Sequence, residues 1–208
     1  MKHRGAIASG HPLTSAAAEE ILRDGGNAFD AIIAAHFTAC VVEPVLASLG
    51  AGGYLLAEPG DGPCRVYDFF TQTPRNQRAE GLDFYPISAD FGTIHQEFHI
   101  GRGSTAVPGS VRGMFEIHRD LGSLPMRRLA EPAMRHARDG VTLNAMQAAI
   151  MNIVSPIYLA TDSAREVFAS RRLSGATLQE GERLVQPVLA ETLEALATEG
   201  DRLFYEGD

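Results

Sequence analysis

Two histidines, His95 and His99, flank Glu97 in the stretch His95-Gln-Glu97-Phe-His99. Imidazoles one helical turn apart with a carboxylate beside the first form the zinc signature H-E-x-x-H, in which the Glu serves as base. Here Glu97 stands one place too late and its neighbours lack helical periodicity, so a surface loop is expected and no metal site. Gly101-Arg-Gly103-Ser-Thr-Ala106 fits the dinucleotide spacing G-x-G-x-x-A, whose glycines let backbone approach a pyrophosphate at a helix start. That cradle needs a strand before it and an unbroken helix through it. Glu97-Phe-His-Ile100 is a weak strand and Val107-Pro108-Gly109 interrupts any helix, so a loop and no cofactor are expected. The nucleophile elbow G-x-S-x-G is absent, because Gly109-Ser110-Val-Arg-Gly113 carries its serine one step early. Ser110 reads instead as an N-cap. Ser48 has no base nearby, His11 and His36 are lone histidines of structural character, and no nucleophile is predicted.

The elements that would position these residues are legible in part. Ser15 to Arg23 is rich in helix formers, follows Pro12 and Thr14 as a possible cap, and ends at Gly25-Gly26. Asn27 then caps a helix carrying Ala31, Ile32, Ala35, His36, Ala39 and Val42, expected to be covered on most sides and to stop before Pro44. Tyr54–Ala57 and Arg65–Phe70, separated by Pro59-Gly-Asp-Gly62, predict a hairpin. From Thr71 to Gly109 periodicity fades and a long loop is expected. Helices follow at 110–120, 126–139, 144–157 (stopping at Pro156) and 187–199.

The 208 residues are 45% hydrophobic and carry a formal charge of −8 with a single lysine, Lys2. The expectation is one α+β domain, mostly helical with a few early strands, without the cation clusters that nucleic acid or anionic membranes require. Cys40 and Cys64 are too few for a disulfide scaffold, and Cys40 lies in an apolar helical run as a buried thiol. No secretory signal or membrane span is apparent at the start, so a cytoplasmic location is expected. Partners are expected to be small molecules or protein.

Several blocks together resemble one family. His11-Pro-Leu-Thr-Ser-Ala, Gly25-Gly-Asn-Ala-Phe-Asp30, Val42-Glu-Pro44 and Ser48-Leu-Gly-Ala-Gly-Gly-Tyr-Leu-Leu are similar to the opening of γ-glutamyltranspeptidases, or glutathione hydrolases. Ala106-Val-Pro-Gly-Ser-Val-Arg-Gly113, Leu121-Gly-Ser-Leu-Pro, Glu131-Pro-Ala-Met, Ala137-Arg-Asp-Gly140, Gln186-Pro-Val-Leu-Ala-Glu-Thr-Leu and Phe204-Tyr-Glu-Gly207 follow in the family's order. The resemblance implies part of an αββα N-terminal-nucleophile sandwich, with strands contributed by a second subunit. It implies γ-glutamyl transfer or hydrolysis through an acyl-threonine, the threonine's own α-amino group acting as base. That threonine lies beyond the FY-x-G block, so the chain is expected to be the amino-terminal part of a large subunit, inactive alone and in need of a small subunit. A non-catalytic interaction module keeping the helical half is the alternative.

One departure bears on substrate. The family's Arg-Glu pair, whose Arg grips the substrate α-carboxylate, aligns with Phe70 and Thr71. The expected substrate-binding positions are therefore Phe70 and Thr71, with Arg75 or Arg102 as a cation reaching in from the loop. Strand-end packing of Phe69-Phe70 is an equal reading, and packing also accounts for the glycines of SLGAGG.

Overall fold

Pro12 sets the first turn, its fixed φ being suited to a helix start. The computed structural model describes residues 5–76 and 80–207. Its elements run α1 (Pro12–Arg23), α2 (Ala28–Val42), β1 (Tyr54–Ala57), β2 (Arg65–Asp68), β3 (Tyr85–Asp90), β4 (His95–Ile100) and a 3₁₀ turn (Arg102–Ser104). They continue α3 (Ser110–Leu121), α4 (Met126–Asp139), β5 (Val141–Thr142), α5 (Ala145–Ile153), α6 (Ser155–Tyr158), α7 (Asp162–Phe168), β6 (Arg183–Leu184), α8 (Pro187–Glu199) and α9 (Arg202–Glu206). The fold is α+β, with its strands in three antiparallel pairs, β1–β2, β3–β4 and β5–β6. No helix among the described residues is long and apolar enough to cross a membrane.

Two compact units interleave along the chain. The first comprises the residues up to Gln72, Pro108–Asp139 and Gln186 onward. Its core is the buried face of α2, with Ile33, Phe37 and Val41, together with Ile21, Ile117, Leu129, Leu193 and Leu196. As expected, α2 is buried on most sides and opens on a capping box: the Asn27 side chain accepts from the N–H groups of Phe29 and Asp30, and the Asp30 carboxylate accepts from the N–H of Asn27 at 2.9 Å. The same buried carboxylate reaches across to the loop before α4, accepting from the N–H groups of Ser123 (2.9 Å) and Leu124 (3.3 Å) and from the Ser123 hydroxyl. Burial alone would raise the Asp30 pKa; hydrogen bonds from Ser123, Asn27 and Leu124 outweigh it and hold the carboxyl below its ordinary value.

Two caps differ from expectation. The N-cap of α1 is His11, whose Nδ1 accepts from the N–H of Leu13 at 3.2 Å, while Thr14 lies inside the helix, buried. The N-cap of α3 is Gly109, and Ser110 is the first helical residue, its hydroxyl directed elsewhere. In both cases a tertiary partner has claimed the hydroxyl that local capping would have used. The glycines do act through packing. A Cβ on Gly52 would fall 2.6 Å from the Phe69 carbonyl oxygen, and one on Gly109 would overlap that same oxygen.

The second unit comprises Thr73–Val107 and Gly140–Val185. The long loop expected at 71–109 instead contains the β3–β4 hairpin, paired from Tyr85 with Ile100 to Asp90 with His95. Tyr85, Ile87 and Ala89 alternate with Pro86, Ser88 and Asp90, a period of two that the proline and the charges obscure in sequence. The helix expected over 144–157 is two: α5 ends at Ile153, and Pro156 sits in the first turn of α6, where its missing N–H costs nothing. The short α7, capped by Thr161, was not foreseen. Glu182 organises the loop before β6, accepting from the Ser170 hydroxyl and from the N–H groups of Arg171 and Gln179.

Candidate functional site

The end of β2 meets the start of α3. Glycine at 53 and 113 leaves room for the Phe69 ring, and the N–H groups of Gly109 and Ser110 both donate to the Ala51 carbonyl, at 3.1 and 3.0 Å. The next free N–H of α3, on Arg112, donates to the Tyr205 hydroxyl at 3.0 Å, and that hydroxyl donates to the Pro108 carbonyl. Three of the first-turn donors of this helix, on Gly109, Ser110 and Arg112, are thus tied to the protein itself. Phe70, one residue on, is fixed by its N–H to Asp68 Oδ1 (3.0 Å) and lies 51% exposed, stacked on Tyr54 with ring centroids 5.6 Å apart and planes 17° from parallel. Thr71 follows it, partly buried, with its backbone against Gly52. Across β1–β2, Leu56 pairs with Val66 on the same outward side as Tyr54, so the hairpin presents an apolar face.

Arg102 belongs to the second unit. Its side chain is 94% exposed, with Nε 3.5 Å from Asp83 Oδ2. Asp83 also consumes the N–H groups that a phosphate would need: its Oδ2 accepts from Arg102 N–H and its carbonyl from Gly103 N–H. The strand that sequence reading found weak is present as β4, yet the turn carries a carboxylate where a pyrophosphate would lie. His95 and His99 lie on that strand, not on a loop. They sit beside Asp90 (3.9 Å) and Glu97 (3.6 Å) respectively, and His99 stacks on Phe84. Among the described residues no cluster of His, Cys, Asp or Glu could hold a metal ion.

Sequence reading missed a Ser–His pair. His36 Nε2 lies 2.5 Å from Ser110 Oγ and 3.8 Å from Cys40 Sγ. Spaced along the chain by 74 positions, the two have no local signal that joins them. The pair has the composition of a nucleophile and base but not the properties. Ser110 is wholly buried, burial pushes His36 down to about 4, and burial pushes the Cys40 thiol up to about 12. The pair therefore fastens α2 to α3 and leaves no base poised near neutral pH.

Small-residue helices, a glycine-packed hairpin and buried polar ties make up an α+β scaffold. The family model for γ-glutamyltranspeptidase matches residues 14–208, and the chain belongs to that family. It is 29% identical to glutathione hydrolase proenzyme 2 of Schizosaccharomyces pombe over 99% of its own length and 32% of that protein. It is 33% identical to the acylase ACY 1 proenzyme of Pseudomonas sp. strain V22, covering 98% of this chain and 36% of the relative. The structure of Helicobacter pylori γ-glutamyltranspeptidase superposes with a TM-score of 0.84 at 28% identity, over 99% of this chain and 57% of that one. The chain thus corresponds to the amino-terminal, large-subunit region and spans about a third of the length of the curated relatives it matches.

Proposed function

We propose that these residues form the amino-terminal scaffold of an enzyme that hydrolyses or transfers a γ-glutamyl or related acyl group through an acyl-threonine, the threonine residing on polypeptide outside the chain described here. The observation that carries the reading is the conjunction of family likeness along the chain with a Ser–His pair whose serine is buried and whose base is held neutral. Chemistry of this class needs an accessible hydroxyl beside a base poised near the working pH. The small subunit is the partner this reading requires, and the apolar face of Tyr54, Leu56, Val66 and Phe70 supports it.

Phe70 bears on the acyl group. An aromatic ring stacked on Tyr54 cannot bind an α-carboxylate, and replacing a charged hydrogen bond with none costs about 1.5–3 kcal/mol, roughly ten- to a hundredfold in binding. The acyl chain at residue 70 is accordingly one without a carboxylate there. The test is turnover of γ-glutamyl and phenylacetyl anilides by the isolated chain and by the complete precursor. The isolated chain is expected to be inert and the precursor to prefer the phenylacetyl substrate. Turnover by the isolated chain above background refutes the absent nucleophile; a precursor that prefers the γ-glutamyl anilide refutes the role given to Phe70.

A further inference from the structure

The first turn of α3 is clasped at two points by one hydroxyl. Tyr205, on α9, donates to the Pro108 carbonyl at 2.9 Å and accepts from the Arg112 N–H at 3.0 Å, bridging the residue before the N-cap and the third residue of the helix. Other groups fix the ring itself. The Arg112 guanidinium lies over it, 4.7 Å from the centroid, with Nε 2.8 Å from Asp201 Oδ2, and Phe204 meets the ring edge to face at 5.2 Å. Arg119 brings a second guanidinium to Asp201 at 3.6 Å.

The turn that Tyr205 clasps is also the seat of Phe69 and Phe70. An added Cβ on Gly109 would overlap the Phe69 carbonyl oxygen and come 3.1 Å from that of Phe70. One turn on, Gly113 leaves the space that the Phe69 ring takes. From the other side, the Phe69 carbonyl accepts from the Gly53 N–H at 3.2 Å. The end of β2 is thus wedged between the backbone of α3 and that of β1, with no side chain at 109 to absorb a displacement. Packing this close passes a shift of the α3 start directly to the Phe69–Phe70 peptide. All of these residues belong to the first unit.

We propose that Tyr205 is a positioning residue for Phe70: its hydroxyl sets where the α3 start lies, and the α3 start sets the ring that meets the acyl group. The inference rests on the role given to Phe70 above. Tyr205 acts through Pro108 and Gly109 and does not itself touch the acyl group. Removing the hydroxyl alone leaves the fold standing, because the ring keeps Arg112 and Phe204 and the exposed Arg112 turns to water.

The experiment is Tyr205→Phe, with Arg202→Ala as control; Arg202 lies on the same helix, its side chain 80% exposed and paired with Glu206. In amide NMR of the chain, Tyr205→Phe is expected to speed exchange of the Arg112 N–H about two- to tenfold, the worth of one hydrogen bond, and to shift the Phe69 and Phe70 resonances. Arg202→Ala is expected to move neither. In the complete precursor, Tyr205→Phe is expected to lower the preference for the phenylacetyl over the γ-glutamyl anilide about two- to tenfold, through KM of the phenylacetyl substrate with kcat held. A purely structural tether would lower Tm and the active fraction, which scales both substrates alike and leaves their ratio unchanged. A Phe70 amide that stays in place while Arg112 exchange quickens overturns the proposal, as does an unchanged ratio in a precursor that favours the phenylacetyl anilide. A wild-type precursor that favours the γ-glutamyl anilide refutes the role of Phe70 instead, and the NMR comparison then decides alone whether Tyr205 positions that residue.

Discussion

Acid should weaken this fold through the imidazole of His36 before its carboxylates begin to titrate. Burial lowers the His36 pKa from 6.5 to about 4, so the folded state refuses a proton that the unfolded chain accepts. The native form is the neutral one. Stability from this group is therefore fully present above about pH 6.5 and is lost as pH falls toward 4, below which both states are protonated and the loss levels off. At pH 4.5 the difference in proton binding amounts to about 2.5 kcal/mol relative to pH 8, using about 1.4 kcal/mol per pKa unit. For a chain of this size that is a fall of roughly 5–10 °C in Tm. His36→Gln removes the titration while keeping a polar group for Ser110. Urea melts of both proteins at pH 8 and pH 4.5 give the comparison, since carboxylates such as Asp30 contribute equally to each. The wild type is expected to lose about 2.5 kcal/mol more than the variant over that interval. Equal losses, or an NMR titration placing His36 near 6.5, would refute the reasoning.

Other perturbations have equally definite outcomes. Asp30→Asn removes the charge from a carboxylate that fastens the start of α2 to Ser123 and Leu124; a loss of about 3 kcal/mol in urea denaturation at pH 7 is expected, and the wild type should lose the stability that the lowered Asp30 pKa confers only as acid protonates this carboxyl, below the ordinary carboxylate range. Gly109→Ala forces a methyl group into the Phe69 carbonyl, and soluble yield together with thermal melting should report a cost of at least about 3 kcal/mol. Maleimide should label exposed Cys64 alone in the folded chain and both thiols in denaturant, because Cys40 is buried with its pKa pushed up to about 12; native mass spectrometry counts the adducts.

The helices were legible where capping and apolar spacing coincided. Asn27 with Asp30, and the three-and-four spacing of α4 and α8, gave their boundaries almost to the residue. The β1–β2 hairpin was equally plain from its turn residues. The β3–β4 hairpin was hidden because half its positions are polar or proline, so its alternation resembled a loop. Thr14 and Ser110 were read as caps because a sequence shows only near neighbours, whereas Glu43 and His36, which take their hydroxyls, lie 29 and 74 positions away. The family blocks were readable for the reason that many are glycine-bearing turns and helix caps, which local chemistry fixes. The stacking of Phe70 on Tyr54 and the hydrogen bond from Thr14 to Glu43 depend on how the hairpin and α2 are placed, and single-sequence patterns do not carry that placement.

Because the first unit includes the stretch from Gln186 onward, synthesis on the ribosome completes the chain of the second unit before that of the first. The turn at Pro108–Arg112 waits for Tyr205, which is made nearly a hundred residues later. Until α9 emerges, the nascent chain holds the α3 start without its tether.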